Sequence, residues 1–549
     1  MCQRKQLTVV VLSILIAGCH GASTSFQNHA ATAEGSTPQA VGPSAASGGV
    51  GSGEALRVSF TEAAASADAR TRAPTNPNRV EFDRGRLPEL PSVPTSGTRK
   101  QASTRGFATP QPSRIRLCDI AGFPCPFDGV AQDNCASCTN PPPDPNAAVG
   151  AGKIVEVVND LIQVTNRLGA VQCGGPVTLN RLLRTADSLT DPRVQFDNVN
   201  RRFSLSVTVS SVSASSTPAM WVATSESEDP CGSWFLYRLT FHGDPYPTGT
   251  MLDFPMLGQD THALLISIRT CLRNKNCLDA DGAIFTVFGL PKSIVYSGTH
   301  VEFNSFQVDS LTAPVTNAGQ PMIASSVSFF LAAVPGTGYK LYRLTNSGGP
   351  GASLTKTTIS EPFSKPPRRI NQPGTTATLD PSDGNILASP YFEGTFIWFT
   401  HDGDDDGFPT VRYGAVDTRN NTVATAWAFH SGSSDDFNPS LAVGITPRGK
   451  TVYLNWAFTD TPAGTATSVV FASGDASQPI VTIAGPGTVY ASGGISTQGR
   501  FGDFSSVSVD PSVSGCAFAT QQYFGANGKW KTRIAPIGQC ESVVNASTR

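Results

Sequence analysis

The sequence predicts an all-β protein: a β-propeller of six or seven four-stranded blades, seven favoured, preceded by a disordered tether. Three observations predict it. The first is composition. The chain has 52 Gly and 41 Pro, with 39% hydrophobic and only 15% charged residues, a balance that suits turn-rich β proteins better than helical ones. The second is alternation. In "RFSLSVTV" a period of two puts Phe203, Leu205, Val207 and Val209 on one face, and "TVYLNWAF" does the same with Val452, Leu454, Trp456 and Phe458. Period two over such runs marks strands. The third is a repeat. Proline-led fragments recur as "DPNAAV" at Asp144, "DPRVQF" at Asp191, "FPMLGQ" at Phe254, "QPMIAS" at Gln320, "QPGTTATL" at Gln372 and "NPSLAV" at Asn438. A seventh, "GDFSSVSV" at Gly502, has Phe504 in the proline's place. They lie 47 to 66 residues apart, which leaves room for four short strands and their loops. A tandem of β-sandwiches would share the alternation but not demand so regular a spacing.

Read from its start, the chain opens with "MCQRKQLTVVVLSILIAGCHG". Arg4 and Lys5 precede an apolar run, Leu7 to Ile16, too short to span a bilayer as a mature helix. It reads as an export signal over residues 1–18. Ile16-Ala17-Gly18-Cys19 resembles the lipobox of bacterial lipoproteins. That resemblance implies cleavage before Cys19, lipidation of Cys19, and a membrane partner held through the lipid. His20 is not Asp, so the expected location is the cell envelope, at the outer membrane, facing periplasm or surface. An ordinary secretory signal with a chance cysteine is the competing reading.

Residues 19–105 are rich in Ala, Gly, Ser, Thr and Pro and read as a tether. Their one helical hint is "TEAAASADAR" from Thr61. Residues 106–143 form a cysteine-rich entry segment, 144–540 the propeller and 541–549 a tail. Without the signal cysteine Cys2 and the lipidated Cys19, ten of the 12 cysteines remain: Cys118, Cys125, Cys135, Cys138, Cys173, Cys231, Cys271, Cys277, Cys516 and Cys540. Export favours disulfides. Cys271 with Cys277 and Cys516 with Cys540 are the local pairs expected first. The first four lack the paired CxxC of a zinc site, and disulfides are favoured there too.

"DPRVQFDNVNRRFSLSV", "LDFPMLGQDTHALLIS", "FNPSLAVG" and "GRFGDFSSVSVDP" resemble a family of exported, loosely sialidase-like bacterial propellers, mostly uncharacterised. The resemblance covers roughly Asp191 to Ile537. Its best marker is Arg500-Phe501-Gly502-Asp503-Phe504-Ser505, with Phe where the family has Trp and Tyr. It implies the fold and export, and no agreed activity.

Two constellations could carry chemistry. In "HDGDDDGF", His401 to Phe408, the spacing Asp402-x-Asp404-x-Asp406-Gly407 alternates oxygen ligands as calcium loops do, and Phe408 could add its carbonyl. Calcium is the one candidate cofactor. Thr410 and Tyr413 stand where the ninth and twelfth ligands belong, and a solvated acidic hairpin is the competing reading. Arg193, Arg500 and Asp503 are weak catalytic candidates. A sialidase-like site would need arginines, from Arg193, Arg369, Arg412 and Arg500, to fork a carboxylate beside acidic groups. Glu is scarce in the repeats, and holding blades together is the competing role for Arg500 and Asp503. No HExxH, GxSxG or P-loop is present. The net charge of −2 argues against nucleic acid. The expected function is a protein- or glycan-binding module. The alternatives are a sialidase-like glycoside hydrolase or lyase at the channel mouth, or an envelope scaffold.

Overall fold

The computed structural model describes residues 39–40, 50–65, 124–134, 142–210, 213–243, 246–273, 275–277, 282–317, 327–366, 369–381, 384–446, 449–476, 487–496 and 499–540. Among them the strands form seven antiparallel blades around one axis. The innermost strands are Asn146–Gly150, Leu189–Asp197, Met251–Gln259, Ala313–Pro314, Tyr391–Glu393, Asp435–Thr446 and Ser506–Val509. In blades 1 to 6 the chain continues outward through three more strands in sequence order. Blade 7 has only two further strands from the C-terminal region, Cys516–Phe524 and Trp530–Gly538. Its outer strand is Phe127–Ala131, from the other end of the chain, paired antiparallel to Trp530–Gly538. The ring is therefore closed by hydrogen bonds between residues some 400 apart in sequence, such as Ile534 and Phe127.

The alternation seen in the sequence reflects burial on both faces. In the second strand of blade 6, Val452, Leu454, Trp456 and Phe458 join a cluster with Trp398, Val411 and Tyr413 of blade 5. Tyr453 and Ala457, on the opposite face, join blade 7 through Ala517 and Ala519. Phe203, Leu205 and Val207 face blade 1, while Met220 and Val222 face blade 3. Each gap between blades holds such a cluster, including the closing gap, where Val149 and Ile154 meet Phe518 and Ile534. Burial of these apolar faces is the main driving force for stacking, at about 25 cal/mol per Å².

Three prolines of the repeat, Pro192, Pro255 and Pro439, sit at bulges on the inner strands, and Pro145 stands just ahead of its inner strand. Ladder register shifts between Asp253 and Met256 and between Phe437 and Ser440, and in blade 2 opposite Ser206 and Thr208. The residue before these four prolines is left-handed: Asp144 (φ 52), Asp191 (φ 59), Phe254 (φ 52) and Asn438 (φ 51). A bulge leaves one residue out of the ladder, so a proline with no N–H is tolerated there. Two fragments are misplaced by the sequence reading. "QPMIAS" at Gln320 runs into residues outside those described, and "QPGTTATL" at Gln372 precedes its blade's inner strand. The inner strands of blades 4 and 5 are instead Ala313–Pro314 and Tyr391–Glu393. Seven remains the count because both blades exist, displaced in register.

Two boundaries also need correction. The propeller starts at Phe127, inside the expected entry segment, not at Asp144. Part of the expected tether is built into the fold: Val50–Gly53 pairs with the outer strands of both blade 2 and blade 3, and Ala55–Ser59 continues along blade 2. Gly51 lies against the Phe303 ring, where any side chain would collide. The helical hint materialises as Phe60–Ala65, anchored by fully buried Phe60. Low local hydrophobicity concealed this arm, because its stability comes from a borrowed edge rather than a core of its own.

Cys271–Cys277 and Cys516–Cys540 are disulfides as expected, and Cys173–Cys231 is a third. It ties blade 1 to blade 2. Cys19, Cys118, Cys135 and Cys138 lie outside the described residues, and the pairing of Cys125 is left with them.

The closing strand is held by Glu156 of blade 1, which is buried. Its Oε2 accepts from Val130 N at 3.0 Å and its Oε1 accepts from the Thr532 hydroxyl. Gly129 faces both groups with no room for a Cβ. Gly129→Val is expected to lower stability by about 2 kcal/mol, read as a fall in the denaturation midpoint; an unchanged midpoint would show that the closing strand is dispensable.

Candidate functional site

The bulges gather charged groups at the end of the channel where the inner strands begin. A left-handed bulge turns its N–H out of the ladder, and a buried N–H needs an acceptor. Three of the four, Phe254, Asp191 and Asn438, find it on a neighbouring blade, and the N–H of Asp503, outside any bulge, does the same. Phe254 N of blade 3 donates to Asp191 Oδ2 of blade 2 at 3.1 Å. Asp191 N donates to Asn159 Oδ1 of blade 1 at 2.7 Å. Asp503 N, entering blade 7, donates to Asp144 Oδ1 of blade 1 at 2.6 Å. Asn438 N of blade 6 donates to Asp402 Oδ2 of blade 5 at 3.3 Å. The Asn159 amide also donates to Asp144 Oδ2 at 2.7 Å.

Of the candidate residues, Arg193, Arg500 and Asp503 do come together. Arg500 pairs with Asp503 at 3.9 Å, and Arg193 lies within electrostatic range of Asp191, Asp144 and Asp503. Arg193 is buried, with its guanidinium carbon 3.2 Å from the centre of the Phe504 ring. Its Nη2 donates to Leu387 O at 2.8 Å and touches Met256 Sδ at 2.7 Å. Phe254 meets Phe504 edge to face at 5.3 Å, and Arg269, paired with Asp253, covers Phe254. These groups reach across the axis from blades 2, 3 and 7 and fill this end of the channel. Arg412 belongs elsewhere: it donates to Glu361 Oε1 at 2.6 Å and lies between Phe363 and Trp427. Arg369 is half-buried in the segment before Ile370. The four arginines therefore do not form one cluster.

The electrostatics follow from burial. Burial raises Asp144 to about 6, helped by Asp503 and opposed by Arg500 and hydrogen bonds. Burial, with Asp253 and Asp144 nearby, raises Asp191 well above the carboxylate range. Burial lowers Arg193 to about 9, against the pull of the three aspartates, so it stays charged at neutral pH. Asp144, Asp191, Asn159 and Asp253 were not singled out from sequence. The signal for the three acids was their place one or two residues before the repeat proline in "DPNAAV", "DPRVQF" and "LDFP"; Asn159 had none.

Beyond this plug lies a cavity of about 450 Å³, lined by inner-strand residues of all seven blades. It reaches exposed Ile445, Ser512 and Ser514 at the end where the inner strands finish. Hydrogen bonds cross it: Gln195 Nε2 donates to Leu257 O at 2.6 Å and to Thr316 Oγ1 at 2.7 Å, and Ser389 donates to Leu257 O at 2.5 Å.

"HDGDDDGF" is the hairpin between the second and third strands of blade 5. Asp406 and Gly407 form a two-residue turn, both with positive φ, as the primed hairpin turns require. Pairing persists to Asp405 and Phe408. Alternate carboxylates are thus spaced along a strand, about 6.6 Å apart for two residues, rather than curled around a point. The oxygens of Asp402, Asp404 and Asp406 are not gathered within 4.8 Å of one another. Asp402 is fully buried against blade 6, Asp404 Oδ1 accepts from Gly407 N, and the Phe408 carbonyl accepts from Thr410. The candidate calcium loop is not assembled. The one acid–cysteine cluster among the described residues is Asp253 with Cys271 and Cys277, and those two sulfurs form a disulfide.

No protein-family model matches the chain, and no curated protein matches it. Solved structures with similar chain paths include Trypanosoma rangeli sialidase (10% identity, TM-score 0.34, 69% of this chain and 57% of that one). Others are the α-L-arabinofuranosidase Arb93A from Fusarium graminearum (11%, 0.33, 73% and 95%) and an exo-β-1,3-galactanase from Clostridium thermocellum (10%, 0.31, 63% and 64%). The chain thus spans little more than half the length of the sialidase. Likeness at this level carries no argument about activity, and the propeller assignment rests on the strand order itself.

Two outcomes follow. Glu156, raised by burial to about 7, Asp144 and Asp191 hold protons in the folded state that the unfolded chain releases near pH 4. Stability therefore falls as pH rises from about 4 towards 7. Burial of Asp197 is outweighed by Lys292 and Asn200, which lower its pKa, so its contribution is lost below about pH 4. The melting temperature is expected to peak near pH 5 and fall towards pH 8, with Glu156→Gln and Asp144→Asn flattening that fall. Millimolar calcium is expected to leave the melting temperature unchanged, while Asp402→Ala costs about 1–3 kcal/mol by stranding a buried N–H; calcium-dependent stabilisation abolished by Asp404→Ala would restore the metal site.

Proposed function

We propose that the chain is an exported, lipid-anchored envelope propeller that acts as a binding module for a protein or glycan ligand. The observation that carries this reading is how the entry-end charges are used. Asp144 and Asp191 accept backbone N–H groups of neighbouring blades, and Arg193 is packed on Phe504 beneath Leu387. Acids and arginines committed to backbone and ring contacts serve as blade fasteners, whereas a glycosidase needs two carboxyls facing a sugar from either side. That weighs against the sialidase-like hydrolase or lyase. Export and anchoring are supported by the signal-like opening and Cys19, and agree with the three disulfides.

The test is a glycan array and envelope-protein capture with the purified full chain, alongside turnover assays on the same glycans. Saturable binding without turnover is expected. Turnover abolished by Asp191→Asn or Arg193→Met in a chain that still melts cooperatively would replace the binding reading with the enzymatic one. Labelled fatty acid should enter the wild-type chain in the producing cell and be lost in Cys19→Ser.

A further inference from the structure

We infer that the ligand site is the open half of the channel and that it takes a neutral carbohydrate; this rests on the binding-module reading above. The cavity volume, about 450 Å³, lies within the range of small-ligand pockets. Its charged lining groups already have partners of opposite sign. Arg193 lies within range of Asp191, Asp144 and Asp503, Glu393 is paired with Lys450, and Asp510 is held by the buried Arg167. A charged ligand would enter without a counter-charge to meet it, at the desolvation cost that burial imposes.

The remaining polar lining that is not buried is uncharged amide and hydroxyl, including Asn146, Gln195, Asn198, Ser389, Ser508 and Ser512. Tyr391 and Phe392 add aromatic surface from blade 5. Sugar hydroxyls exchange hydrogen bonds with such groups, and the C–H faces of the ring pack on aromatic carbon. Gln195 supplies the most specific mark. Its amide nitrogen is committed to blades 3 and 4, which fixes the orientation of the group. Its Oε1 is shielded from solvent and has no hydrogen-bond partner. A shielded acceptor without a donor is destabilising, so this side chain is held at a cost where the cavity wall meets blades 3 and 4. The opposite end of the channel is filled by Phe254, Phe504 and Arg193, so entry is from the mouth at Ile445 and Ser512.

Isothermal titration of the full chain with neutral hexoses, N-acetylhexosamines and their disaccharides, and with uronic and sialic acids as anionic controls, tests this. At least one neutral sugar should bind in preference to the anionic ones. Gln195→Ala should weaken it at least tenfold, and Ser512→Trp, at the exposed mouth, should abolish it while leaving the melting curve intact. Binding that survives both substitutions would overturn the cavity assignment yet leave the binding module standing. Preference for anionic sugars, or failure of every neutral sugar to bind, would overturn the carbohydrate class. Absence of any ligand on the glycan array and in protein capture as well would remove the underlying reading.

Discussion

A bulged inner strand frees a backbone N–H beside a narrow channel, and that donor must be satisfied without water. The rest of this structure depends on how it is done. Phe254, Asp191 and Asn438 each hand their N–H to a side chain of the adjacent blade. The contact fixes the spacing and rotation of one blade against the next at its inner edge. It also explains why the acids cannot be read as catalytic from their positions alone. A carboxylate that accepts a buried N–H is part of the frame.

The same constraint explains the asymmetry of the channel. Bulges crowd the end where strands begin, so that end carries Arg193, Phe254 and Phe504 in contact across the axis. Beyond the bulges the strands run regularly and diverge, leaving a cavity edged by small residues such as Ala147, Ser440 and Ser506. Plug and cavity arise from one device repeated around a ring.

Much of the architecture was legible in the sequence because it is written in local patterns. Alternation identified the strands around Phe203 and Val452, and the proline fragments marked blades 1, 2, 3, 6 and 7. Blades 4 and 5 were mislocated because Ala313–Pro314 and Tyr391–Glu393 are very short inner strands with little pattern to read. The closing strand Phe127–Ala131 and the arm Val50–Ser59 were not legible at all. Each is held by an edge far away in sequence, and no local signal encodes a distant partner. The site was half legible. Arg193, Arg500 and Asp503 do converge, but the acids that define their surroundings, Asp144 and Asp191, stand out in the sequence only as the heads of proline-led fragments. In "HDGDDDGF" spacing suggested a ligand loop, whereas pairing up to Asp405 and Phe408 holds the carboxylates apart.

The closing strand has a consequence for how the molecule is made. Its partner strand, Trp530–Gly538, is the last of the described strands to be synthesised. Phe127–Ala131 must therefore wait, unpaired, while six blades form behind it. Contacts of such large sequence separation form slowly, and an unpaired strand edge invites aggregation. The waiting strand, FDGVA, is short, holds a glycine and an acid, and is a poor template for another chain. Its weakness as an isolated strand suits a piece that must stay idle until the circle is ready to shut.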